Sequence, residues 1–451
     1  MKSSPKQPEK NATSTQPTGW LAGWFPLLFG AFLGLALVKF GNVVVLERFV
    51  ERPVNGYEWA LSSWPVVLGY WLLGTVAGLG LSVARWRTEA SKWLIALPLV
   101  WLVWQFVAAA QTVDSVLTQA TLKHIAACAV CFYLGVFALG RYAHPTHFWF
   151  GLVVGLAVVL ANGFQQHFGG LEESRRYFYA YAYDRIASIP PEYLKRLEST
   201  RIFSTLFYPN ALAGGLLLLP PIALAVIWND WVCLTIGARR FVVGVMGVGV
   251  LACLYWSGSK GGWLLMLLLA LMALLQVPFD RRWKMALIGL VLCGGLVGFG
   301  LKYAGFFRRG ATSVTARFDY WRAAVRTAVA NPAFGTGPGT FAIPYQKIKR
   351  PESEMVRLVH NDYLQQASDS GWVGFATYTA FVIRALMRTR PRQATQEPVR
   401  FAVWLGLLGW WLQGLMEFSL YVPALAWCAF AMMGWLLARS GKPFDKPPAG
   451  A

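Results

Sequence analysis

Apolar runs long enough to cross a bilayer recur along almost the whole of this 451-residue chain, and they leave few architectures open. A hydrocarbon core of roughly 30 Å is crossed by about 20 helical residues rising about 1.5 Å each. In that medium each backbone N–H and C=O must be satisfied within its own segment, so such runs fold as helices. About twelve spans are expected, near residues 20–40, 64–84, 93–110, 122–141, 148–166, 208–228, 241–256, 262–278, 284–302, 371–388, 400–416 and 421–438. Composition agrees, with 56% hydrophobic and only 14% charged residues and a mean hydropathy of +0.45, a chain whose main solvent is lipid. The expected fold class is all-α, a polytopic membrane protein with a single transmembrane domain over residues 19–440. Residues 1–18, rich in Lys, Pro, Ser and Thr, are expected to be a disordered cytoplasmic start, and 441–451 a cytoplasmic tail. No small-residue cleavage site follows the first span, which therefore reads as a retained anchor.

Orientation follows from Lys and Arg in the short connections, which are held on the cytoplasmic side. With the N-terminus inside, the cytoplasmic segments carry Arg85, Arg87 and Lys92; Arg141; Arg239 and Arg240; Arg281, Arg282 and Lys284; Arg384, Arg388, Arg390, Arg392 and Arg400; and, in the tail, Arg439, Lys442 and Lys446. These segments agree, so N-in and C-in is expected. The same count places two longer segments outside, about 167–207 and about 303–370, and both are basic. The net charge of +20 thus has two parts. One is the usual inside bias; the other is an external basic surface, either a solvated and partly salt-bridged loop or the seat of an anionic ligand.

Other chemistries are not signalled. Cys128, Cys131, Cys233, Cys253, Cys293 and Cys428 fall in or beside apolar spans and read as small core residues. The Cys128/Cys131 pair has metal-type spacing but lies mid-span without a second pair, so no metal and no cofactor are expected. Gly335-Thr336-Gly337-Pro338-Gly339 lacks a preceding strand and a closing Gly-Lys-Ser/Thr, and reads as a turn. There is no tandem repeat and no nucleic-acid module, so the expected surroundings are the lipid bilayer and no nucleic acid. His124, His144 and His147 belong to the fourth span or its cytoplasmic connection and read as structural.

Four features of the external side carry polar groups suited to chemistry. Thr315 to Ala330 can form a helix ended by Asn331-Pro332. At about 100° per residue, Phe318, Trp321, Ala324, Val325, Ala328 and Val329 share one face and Arg322 and Arg326 point away. Arg317 projects within about 40° of Trp321 and Ala328, toward the protein, where a guanidinium needs an anionic partner: a buried salt bridge or a ligand. His360 precedes a short helix capped by Asn361 or Asp362, where the helix dipole favours a neutral ring, either a proton acceptor or a packing residue. Arg201 stands at the mouth of the sixth span, before Tyr208-Pro209-Asn210. Lys260 lies in the turn Ser257-Gly258-Ser259-Lys260-Gly261-Gly262, as an interfacial anchor or an anion contact.

Arg201 with Tyr208-Pro209-Asn210-Ala211-Leu212-Ala213-Gly214, the Ser-Gly-Ser-Lys-Gly-Gly turn, Arg317 with Trp321, Asn331-Pro332 before Gly335-Thr336-Gly337, and His360-Asn361-x-x-Leu364 occur in one order. In that order the chain resembles the superfamily of bacterial O-antigen ligases and polymerases, by motif over about residues 200–380 and by span count elsewhere. The resemblance implies a metal-independent, inverting glycosyltransferase of the inner membrane with its active site facing the periplasm, using an undecaprenyl-diphosphate-linked glycan as donor. By carry-over, Arg201 and Arg317 bind the diphosphate and His360 deprotonates or orients the acceptor hydroxyl. Lys260 stands where the family more usually shows arginine, which leaves charge attraction without a bidentate grip.

A ligase would deliver the glycan to lipid A-core, whereas a polymerase would join lipid-linked repeat units; ligase is the leading expectation. Protein glycosylation ranks lower because the tail after Leu437 is short. A non-enzymatic alternative is a lipid-linked oligosaccharide flippase, which would call for internal repeats and charges near the bilayer midplane.

Overall fold

The computed structural model describes residues 20–182, 194, 198–308, 312–351, 353–391 and 395–440, and the regular elements among them are helical. In chain order these are α1 (Trp20–Lys39), α2 (Gly56–Leu61), α3 (Val66–Val83), α4 (Lys92–Ala109), α5 (Ser115–Tyr133), α6 (Thr146–Gln165), α7 (Leu171–Tyr177), α8 (Pro209–Leu218), α9 (Pro220–Asn229), α10 (Ile236–Ser257), α11 (Lys260–Gln276), α12 (Arg281–Arg308), α13 (Thr312–Ala330), α14 (Ala342–Ile348), α15 (Asp362–Thr389), α16 (Pro398–Gln413) and α17 (Pro423–Ala438). The expected disordered start and the tail from residue 441 lie outside the described residues.

Among the described residues, eight helical stretches are long and apolar enough to cross a membrane: Ala22–Lys39, Val66–Val83, Lys92–Ala109, Ser115–Arg141, Thr146–Ala180, Pro209–Asn229, Ile236–Ser257 and Arg281–Arg308. The other four expected spans also fall on helices, but α11 and α17 are shorter, α16 has 16 residues, and α15 opens with a polar run. Every residue of α17 is buried, against α5, α1 and α16 among others. A helix apolar all round belongs in the centre of a bundle. At the other extreme, α12 buries only Tyr303 and packs on α11, leaving Leu290 and Leu301 69% and 78% exposed, as suits a lipid-facing wall.

Small residues set the closest packing. Gly30 and Gly34 of α1 lie against Gly151 and Gly155 of α6, and a Cβ added to Gly155 would stand 2.8 Å from Gly34 Cα. Without a hydrophobic drive between helices in lipid, such backbone approach is what dispersion and close contact require. Four of the cysteines are core residues as expected, but Cys233 and Cys293 are exposed, Cys293 because it sits on the outer surface of α12.

The polar stretch after α12 folds onto one end of the bundle. Helix α13 ends at Ala330, before Asn331-Pro332, and docks on α15 and α14. Its packed face consists of Tyr320, Ala323, Ala324, Thr327 and Ala328, whereas Phe318, Val325 and Val329 are exposed. The expected apolar face is therefore rotated: short alanines let α13 approach α15 closely, and the bulkier residues turn outward. Arg317 stays on the packed side. Helix α15 breaks at Ser370 and Gly371, the latter with φ 71°. The Gly-Thr-Gly-Pro-Gly segment is the expected turn, wrapped around that break. Thr336 N donates to Ser368 O at 3.1 Å, Gly337 N to Asp369 O at 2.9 Å and Gly339 N to Asp369 Oδ2 at 2.7 Å, so these amides are spent on α15.

Candidate functional site

Four chain segments meet at the same end of the bundle, each placed by the start or finish of a helix. Arg201 lies ahead of α8, whose first position is Pro209. Gly258, with φ 60°, closes α10, and Ser259 Oγ caps α11 by accepting from Gly262 N at 3.3 Å, so Lys260 opens that helix. His360 precedes Asn361, whose Oδ1 accepts from Tyr363 N at 3.0 Å and Leu364 N at 2.9 Å; of the two expected caps for α15, Asn361 is the one used. The fourth segment, residues 414–422 between α16 and α17, carries Glu417. Among the described residues, Ser204 and His360 are the non-glycine residues with positive φ, 56° and 55°, in two of these segments. Each such conformation costs roughly 1–3 kcal/mol and persists only where its surroundings impose it.

Glu417 is the hub. Its Oε1 accepts from Arg317 Nη2 and from Asn210 Nδ2, the latter at 2.6 Å. Its Oε2 accepts from Tyr208 OH and His360 Nδ1, both at 3.0 Å. Arg317 Nε also donates to Met416 O at 3.1 Å, which ties α13 to the same turn. Arg201 reaches the hub through Asn210, donating from Nη2 to its Oδ1 at 3.1 Å, while Arg201 Nε donates to Ser257 O at 2.6 Å. Burial alone would push the Glu417 carboxyl upward, but Arg317, the hydrogen bond and charge of His360, and the Tyr208 hydroxyl bring it below the ordinary carboxylate range. Burial pushes the Arg201 guanidinium down, and Glu417 opposes that.

The hub fixes the histidine's tautomer. An ionised Glu417 can only accept, so the neutral imidazole carries its proton on Nδ1 and leaves the lone pair on Nε2. Nε2 has no partner among the described residues, and the side chain is 22% exposed. The ring is held by Phe418, edge-on with centroids 4.6 Å apart, and by Tyr320 at 5.8 Å. Trp321 Nε1 donates to His360 O at 3.3 Å.

Lys260 extends the positive side. Its ammonium lies 3.8 Å from the Phe306 centroid and 5.3 Å from that of Tyr303, and the charges of Arg201 and Arg317 bear on it. A Cβ on its neighbour Gly261 would stand 3.1 Å from Met416 Cε, so the start of α11 touches the Glu417 turn. The Tyr303 hydroxyl is buried with no partner among the described residues. Arg317 thus pairs with Glu417, the charge of Glu417 also bears on Arg201, and Lys260 lies within reach of both guanidinium charges, beside an imidazole whose Nε2 lone pair has no partner among the described residues.

Arg201, Lys260, Arg317 and His360, far apart in sequence, therefore come together. Arg322 does not join them: it pairs with Asp319 at 3.3 Å and its side chain is 66% exposed. Arg175 and Arg176 pair with Glu172 at 2.7 and 3.3 Å, as a solvated loop would, while Arg185, Lys195 and Arg196 lie outside the described residues. Glu417 was not anticipated. Its signal was present, since it is the one acid between residues 398 and 444, in a short turn on the side of the chain that carries the arginines.

Among the described residues no three His, Cys, Asp or Glu side chains gather as metal ligands. What the cluster does offer is a proton acceptor oriented by a carboxylate, next to guanidinium and ammonium groups for an anion. No curated protein matches the chain. Residues 245–379, which run from α10 into α15 and hold Lys260, Arg317 and His360, match the family described as O-antigen ligase.

Proposed function

We propose that the protein is an O-antigen ligase-like glycosyltransferase, moving a glycan from undecaprenyl diphosphate to a hydroxyl of lipid A-core or a similar glycan acceptor. The observation that carries this reading is the juxtaposition of the His360–Glu417 pair with Arg317, Arg201 and Lys260. The acceptor oxygen attacks the anomeric carbon while its proton passes to His360 Nε2, and Glu417 stabilises the resulting imidazolium. The bond from the anomeric carbon to the diphosphate oxygen breaks with its electron pair on that oxygen. Arg201 and Arg317 hold the departing charge through their remaining N–H groups, and Lys260 acts as a point charge. Removing one such preorganised contact costs about 10²- to 10³-fold in rate. One displacement inverts the anomeric centre, and the residues need no metal for any step. The Lys and Arg bias of the opposite connections supports a periplasmic site in the inner membrane.

The test supplies purified protein with a lipid-diphosphate glycan and, separately, lipid A-core or a second lipid-linked glycan, with a chelator present. Transfer to lipid A-core is expected, lost in Arg201→Ala, Arg317→Ala and His360→Ala. Transfer to the second lipid-linked glycan alone would make the protein a polymerase. Translocation of labelled glycan across vesicles without any transfer would overturn the enzymatic reading in favour of a flippase.

A further inference from the structure

Two neighbouring residues of one helix distortion support Arg201 from both sides. After α6 the helix kinks over Gln166–Gly170, where Phe168 (φ −93°, ψ 31°) and Gly169 (φ 121°) leave helical geometry. Its first residue, Gln166, is buried, and its carboxamide is spent on the Arg201 segment. Oε1 accepts from Phe203 N at 3.0 Å and Ser204 N at 2.7 Å, and Nε2 donates to Ser204 O at 2.9 Å. Its second residue, His167, stacks on Trp256 with centroids 3.9 Å apart and planes 11° apart. Trp256 adjoins Ser257, whose carbonyl takes Arg201 Nε. Gly258 completes the seat, since a Cβ there would stand 3.1 Å from Arg201 Nε.

Serine does not choose a φ of 56° unaided. Three hydrogen bonds from one side chain to one dipeptide over-determine that conformation. We infer that Gln166 is a positioning residue of the anion site: its carboxamide fixes the strained Ser204 turn and thereby the direction in which Arg201 leaves the backbone. The inference rests on the glycosyl-transfer reading in that Arg201 faces the donor diphosphate. An amide suits the task, because it accepts and donates in one plane; glutamate would lose the donor and leucine both.

The test measures undecaprenyl diphosphate binding and transfer kinetics on full-length protein in nanodiscs, for wild type, Arg201→Ala, Gln166→Leu and Gln166→Leu with Ser204→Gly. Glycine takes positive φ without strain, so the second change restores the turn without its clamp. Gln166→Leu is expected to raise the donor KM by up to about 100-fold, the scale of a 1 Å misplacement, with the acceptor KM unchanged. Ser204→Gly is expected to recover most of that loss, which a merely structural role for Gln166 would not allow. Should the leucine variant not fold, Gln166→Glu, which keeps the acceptor side of the clamp, is read in its place. Wild-type donor binding in the Gln166 variant, or a loss that glycine does not rescue, overturns the inference while leaving the transfer reading intact. Donor binding by Arg201→Ala as tight as wild type overturns the transfer reading itself.

Discussion

Replacing Glu417 with glutamine tests the hub with almost no change in shape. Four donors, Arg317 Nη2, Asn210 Nδ2, Tyr208 OH and His360 Nδ1, share its two oxygens. Glutamine offers one oxygen and turns a second donor toward the rest, so at least two of these bonds are lost and Arg317 loses its counter-charge. Breaking one partner out of a buried ion pair costs about 3–5 kcal/mol. Arg317 and His360 retain 21% and 22% side-chain exposure, so water recovers part of this and the low end, about 3 kcal/mol, is the expected loss of stability. The kinetic loss is separate and larger. Without an acceptor at Nδ1 the imidazole takes either tautomer, and the comparable change in a serine protease triad costs about 10⁴-fold in kcat. Transfer assayed in nanodiscs, with thermal unfolding followed in parallel, is expected to show kcat reduced by about 10²- to 10⁴-fold in a folded protein. A folded Glu417→Gln variant retaining kcat within about tenfold of wild type would refute the claim that this carboxylate orients the base.

Because Glu417 titrates below the ordinary carboxylate range, its contribution to stability is complete above that range and is lost as pH falls through the folded-state value. The melting temperature of wild type is thus expected to drop on acidification below the ordinary range, while Glu417→Gln lacks that step; parallel profiles would show that Glu417 is not the titrating group. Arg322→Ala removes an exposed pair worth about 1 kcal/mol or less and should leave transfer near wild type, in contrast to Arg317→Ala. If Arg322→Ala proved the more damaging, the assignment of inner and outer faces on α13 would fail. Gly155→Leu forces its side chain into α1 and should lower folded yield in detergent, whereas Gly289→Leu, where an added Cβ would meet open space, should not.

The membrane class and most helix positions were legible because apolar length is a one-dimensional property. The four site residues chosen from motif and direction also proved to be neighbours. The face of α13 was not legible in full: the wheel weights Phe318 and Val329 as core, but the partner helix selects alanines that allow close approach. Glu417 escaped because a single acid in a short turn has no local pattern, and only the fold brings residues 210, 317, 360 and 417 to one point. Gln166 escaped for the same reason, its role being visible only in the backbone it holds.

The hub's place in the chain bears on how the protein is made. Helices emerging from the ribosome enter the bilayer in order, N-terminal segments first. Arg201, Lys260 and Arg317 are all synthesised well before Glu417, and the fully buried α17 follows it. Until that turn is translated, Arg317 has no Glu417 to pair with. A ribosome stalled, or a frame broken, shortly before residue 417 would leave most of the helices inserted yet no neutralised site and no central helix. Only with residue 417 in place does the cluster acquire the carboxylate that Asn210, Arg317, Tyr208 and His360 share.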